Sequence, residues 1–78
     1  MEQEIKNFIE SNSWFDVEEA ENGFVMAATR DHGNVGDETV GAEDMAKAYE
    51  LKKLIEEEFG ATCEVEEVDE WVHLNVEV

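Results

Sequence analysis

The sequence predicts an α+β domain in αββαββ order, with a four-stranded antiparallel sheet and two helices on one of its faces. Three patterns carry this expectation. Apolar residues recur at steps of three and four from position 42 to 59 and stop at Gly60. Apolar and polar residues alternate from 61 to 78. Asn22-Gly23, the strongest short hairpin signal, stands between two further apolar-patterned runs.

The first element is a short helix over residues 3–12, with Ile5, Phe8 and Ile9 as its apolar stripe. Glu2 and Glu4 lie at its start, where the helix dipole favours negative charge, and Ser11-Asn12-Ser13 breaks it. Residues 14–21 and 24–31 then form a hairpin around Asn22-Gly23. A two-residue turn puts Phe15 and Val17 on one face with Phe24, Met26 and Ala28, and Asp16 and Glu18 on the other with Val25, Ala27 and Thr29. That register also places Glu19 and Glu21 on the apolar face. A three-residue loop would instead bury Val25 and Ala27.

The segment HGNVGDETVG, residues 32–41, is polar, rich in glycine and without periodicity, so it reads as an exposed connection. Thr39 or Gly41 is positioned to cap the next helix. That helix spans 42–59, with Met45, Ala48, Leu51, Ile55 and Phe59 on one face, Glu43 and Asp44 in its first turn, and Gly60 as a left-handed stop.

The second hairpin can be read residue by residue. With Asp69-Glu70 as the loop, Val65 faces Leu74, Cys63 faces Val76 and Ala61 faces Val78. On the opposite face Glu66 meets His73, Glu64 meets Asn75, Thr62 meets Glu77, and Val68 meets Trp71. A slip of one residue would exchange core and solvent faces, which selects this register strongly. Two hairpins in one sheet beneath two helices would bury every apolar stripe named so far. The arrangement resembles a ferredoxin-like one whose first strand has moved to the end of the chain.

Length and composition bound the function. Seventy-eight residues make one domain with one small core, so association with another chain, a second copy included, is expected. No apolar run approaches the ~20 residues of a membrane span, and the acidic start lacks the features of a secretory signal. The lone cysteine, Cys63, excludes an internal disulfide and falls on the predicted core face, which suits a cytoplasmic protein. Twenty-two acidic residues stand against five Lys and Arg, a net charge of −17 and a pI near 4.1. Nucleic acid and anionic membranes are therefore poor direct partners, and basic proteins good ones. Two Trp, four Phe and clear periodicity argue against disorder.

Chemistry finds few handholds. Asp31, His32, Asn34, Asp37 and Glu38 offer ligands for a hard cation, but their spacing departs from a calcium loop and no bidentate glutamate follows. Neither dinucleotide-binding nor phosphate-loop glycine patterns occur, and no serine sits in a nucleophile elbow. Paired carboxylates are inevitable at this composition and carry no information about acid–base catalysis. The expectation is a non-enzymatic protein without cofactor or resident metal.

The candidate site is the uncovered sheet face. It should present Asp16, Glu18, Glu64, Glu66 and Glu77, with Trp14, Trp71 and His73 among them and Asp69 and Glu70 at the hairpin tip. Exposed tryptophan in a polar surround is typical of binding hot spots. Glu56, Glu57 and Glu58 add a second acidic group at the end of the long helix. There negative charge opposes the dipole, and Lys52 and Lys53 offset it only in part. Size, charge and exposed aromatics resemble those of small phage-encoded inhibitors of host restriction or CRISPR machinery. The resemblance implies a nucleic-acid mimic that blocks the site of a basic nucleic-acid-binding protein. The alternatives are an acidic accessory protein, salt-adapted or made acidic for solubility, within a larger complex, and a cation-binding domain using the 31–38 loop.

Overall fold

The computed structural model describes residues 1–18, 22–30, 38–68 and 71–78. The elements run α1 (Glu2–Asn12), β1 (Asp16–Val17), β2 (Phe24–Arg30), α2 (Glu38–Phe59), β3 (Thr62–Val68) and β4 (Trp71–Glu77). The four strands form one antiparallel sheet in the order β1-β2-β4-β3. Because β4 is antiparallel to both neighbours, β2 and β3 run parallel on either side of it, linked by α2 as a split β-α-β unit.

Polar residues end α1 by taking up its last carbonyls. Asn12 Nδ2 donates to the Phe8 carbonyl at 2.8 Å and Ser13 Oγ to that of Ile9 at 2.7 Å, after which Ser13 is extended. At the other end Glu2 Oε1 accepts the Gly23 N–H at 2.6 Å, and the Val78 N–H reaches the Gly23 carbonyl at 2.7 Å. One turn is thereby tied to the start of α1 and to the end of the chain. Asn22 (φ 54°) and Gly23 (φ 81°) are both left-handed, the conformation those two residues tolerate best.

The first hairpin differs from the two-residue-turn expectation in register and extent. Asp16 pairs with Ala28 and Val17 with Ala27, and the Glu18 N–H donates to the Met26 carbonyl at 2.8 Å. This is the pattern of the three-residue-loop alternative, in which Val25, Ala27 and Thr29 are buried while Phe24 and Met26 are exposed. The cause lies outside the hairpin. Val25 and Ala27 pair with Val76 and Leu74 of β4, so the inner face of β2 must match the inner face of its neighbour. The β1 strand is only two residues long, not the run of 14–21.

The long helix also starts earlier than expected. It begins at Glu38, so Thr39 and Gly41 lie within the helix instead of capping it, and the connection is correspondingly shorter. Its other end is as expected: Gly60 adopts φ 68° and donates to the Glu56 carbonyl at 3.2 Å. The β3–β4 register agrees pair by pair with the alternation in the sequence, including Cys63 with Val76, Val65 with Leu74 and Glu66 with His73.

Ile5 and Ile9 of α1, Ala48, Leu51 and Ile55 of α2, and Val25, Ala27, Cys63, Val72, Leu74 and Val76 of the sheet join one buried cluster with Phe15 and Ala61. Phe8 and Phe59 meet edge-to-face at 5.7 Å and bridge the two helices. Both helices therefore share their core with one face of the sheet, and the other face is left open.

The edge of β3 is partly closed by α2. Glu56 Oε2 accepts from Lys52 Nζ at 2.9 Å and from the Cys63 N–H at 3.4 Å, while Lys52 Nζ also donates to the Cys63 carbonyl at 3.2 Å. One helical ion pair thus occupies the backbone donor and acceptor of an edge residue, a position otherwise open to strand addition. The shared hydrogen bonds hold Glu56 below the usual carboxylate range and Lys52 above its ordinary value.

Candidate functional site: the open sheet face

Residues at alternate positions of each strand share a face, and the observed register lines them up into rows across the sheet. One row reads Asp16, Ala28, His73, Glu66. The next reads Glu18, Met26, Asn75, Glu64, with Glu18 joined through its bond to the Met26 carbonyl. Each row begins and ends in a carboxylate. The outer strands lie three strand spacings apart, so two acidic borders stand ~14 Å from each other, with ~6.7 Å between charges along a border. Beyond these rows lie Phe24, Glu77 and Thr62 on one side and the Trp71–Val68 pair on the other.

Asp16, Glu18, Glu64, Glu66, Glu77 and Trp71 are exposed where the alternation placed them, and His73 is half-buried among them. Glu66 lies opposite His73 in register, yet its carboxylate accepts from Asn75 Nδ2 at 3.3 Å. Glu57 and Glu58 are exposed at the end of α2, a turn without basic residues. Glu56 beside them is engaged with Lys52 and Cys63, so it serves the β3 edge. Asp69 and Glu70 lie outside the described residues, as do positions 31–37 of the candidate cation loop.

Trp14 is not on the open face. Its indole N–H donates to Asp44 Oδ1 at 2.9 Å, and Lys47 Nζ lies 5.9 Å from its ring centroid, which places the ring against α2. Because α2 begins at Glu38, Glu43 and Asp44 lie beyond the first turn where the sequence placed them; Asp44, only 2% exposed, instead anchors the segment before β1 to the helix. In place of Trp14 the open face carries two residues expected in the core, Phe24 (54% exposed) and Met26 (43%). Asn75, read as a simple cross-strand partner, lies between them and β3. The two-residue turn expected at Asn22-Gly23 pointed Phe24 and Met26 inward; the pairing of β2 with β4 turned them out.

A cleft of about 310 Å³ opens on this face, lined by Phe24 and Met26 on one side, Thr62 and Glu64 on the other, with Asn75 and Glu77 between. Burial is the main reason the Cys63 thiol is pushed up to about 11, with Glu56 adding to it, so the group is a neutral thiol at pH 7. Among the described residues no three His, Cys, Asp or Glu side chains are grouped to hold a metal ion, and no helix is long and apolar enough to cross a membrane. The described lysine ion pairs, Lys6–Glu10, Lys47–Glu50 and Lys52–Glu56, are on the helices. Comparison with protein-family models, curated proteins and solved structures finds no match to this chain.

Proposed function

We propose that this chain is a cytosolic protein-binding module that occupies the nucleic-acid site of a basic protein, as small phage-encoded inhibitors of host restriction or CRISPR machinery do. The observation that carries this reading is the pair of acidic borders on the open face. Asp16 and Glu18 face Glu64 and Glu66 across a floor containing Met26, Ala28 and His73, with exposed Trp71 at its end. Carboxylates spaced on the scale of nucleic-acid phosphates would steer a basic partner, and a desolvated tryptophan would hold it. The role is binding, not catalysis. Glu57 and Glu58, set against the dipole of α2 with no basic residue in that turn, favour the second reading, an accessory protein whose acidity is a property of the whole surface.

Competition against labelled DNA or RNA for a basic nucleic-acid enzyme separates the two. Glu64→Lys with Glu66→Lys should weaken competition far more than Glu4→Lys with Glu43→Lys, an equal change of charge at exposed helical sites. Equal losses from both pairs would assign the effect to net charge. Simultaneous binding of nucleic acid and this protein to the enzyme would end the mimic reading.

A further inference from the structure

The cleft on the open face is built for more than diffuse charge. Phe24 and Met26 leave large apolar surfaces open to solvent, although a small soluble domain gains nothing from exposing them. Directly across the strands stand the exposed carboxylates of Glu64 and Glu77. Asn75 lies between these groups, and the bond from its Nδ2 to Glu66 fixes which end of the amide is oxygen. That oxygen, Oδ1, is buried and finds no donor among the described residues. With almost no exposed surface, that oxygen is out of reach of a ligand, and the acceptors open to one are the carboxylates of Glu64 and Glu77.

We propose that this cleft takes the side chain of an arginine carried by the basic partner, an assignment that rests on the function proposed above and gives it an anchor point. The aliphatic stem would lie against Met26 and the guanidinium plane against Phe24, a ring that attracts cations through its face. The fork of N–H donors would meet the exposed carboxylates of Glu64 and Glu77, a pair that a planar, five-donor group can bridge where an ammonium acts as a point charge. At about 310 Å³ the cleft is at the lower limit of ligand sites, room for one side chain and not for a helix. A second copy of this chain is a poor occupant, because two molecules of net charge −17 repel and Glu64 and Glu77 would meet further acids.

The test is an NMR titration of the ¹⁵N-labelled full chain at low salt with acetyl-Gly-Arg-Gly-amide and with its citrulline analogue, which has the same shape but no charge. The expected result is saturable shifts centred on Phe24, Met26, Thr62, Asn75 and Glu77, with citrulline at least ~10-fold weaker. Met26→Lys, which puts a competing ammonium at an exposed position of the cleft, should remove those focal shifts while the rest of the spectrum stays native. Citrulline binding as well as arginine would overturn the assignment, and so would shifts spread evenly over Glu4, Glu43, Glu57 and Glu58. The spread pattern would leave the acidic-module reading standing, since that reading is judged separately by the competition assay. No shift at any residue overturns the cleft outright.

Discussion

The face assignment of β2 can be tested with two neighbouring substitutions. Val25 is fully buried and paired with Val76, whereas Met26, the next residue, is 43% exposed on the open face. Val25→Ala removes two buried methyl groups, worth ~0.8 kcal/mol each by transfer. The cavity left in the core raises the cost to ~2–3 kcal/mol. Seventy-eight residues imply a total stability of only ~4–12 kcal/mol. One valine therefore carries a large share, and at ~4–8 °C per kcal/mol the midpoint should fall by ~8–24 °C. Met26→Ala, which removes more atoms from a half-open position, should cost under ~1 kcal/mol. Urea unfolding followed by tryptophan fluorescence measures both, provided the slope with denaturant stays constant across the set. If Met26→Ala proved the more costly, β2 would present the opposite face to the core and the cleft argued above would not exist.

Two further outcomes follow from charge and burial. The Cys63 thiol is raised from 9.0 to about 11 in the folded state, so its contribution is complete below pH 9 and is lost as the pH climbs through about 11. Stability should fall across that window, and Cys63→Ala should flatten this part of the profile; an unchanged slope would mean that the thiol is not desolvated. Raising NaCl from about 0.01 to 0.15 M shortens the screening length from ~30 to ~8 Å, which relieves repulsion between the acidic borders and should raise Tm. A Tm indifferent to salt would show that the 22 acids are placed without net strain.

Much of this architecture was legible because periodicity reports burial directly. The stripe of Ala48, Leu51 and Ile55 specified α2, and Gly60 its stop, because only one helical face can be apolar and a left-handed residue ends the helix. The alternation from Thr62 to Glu77 specified the second hairpin pair by pair, since a one-residue slip would bury glutamates. Tertiary structure decided what local patterns left balanced. The first hairpin has apolar residues on both faces of β2, and each register buries a plausible set. Its choice fell to β4, whose Val72, Leu74 and Val76 required Thr29, Ala27 and Val25 opposite them. That one long-range pairing turned Phe24 and Met26 outward and set the strand order β1-β2-β4-β3. Trp14 was likewise placed by a residue thirty positions away, the buried Asp44, through a hydrogen bond that no periodicity encodes. Helix stripes and strand alternation are set by neighbours in the chain, so the sequence determined them; the side of the sheet that Phe24, Met26 and Trp14 occupy depended on partners that meet only when the chain has folded.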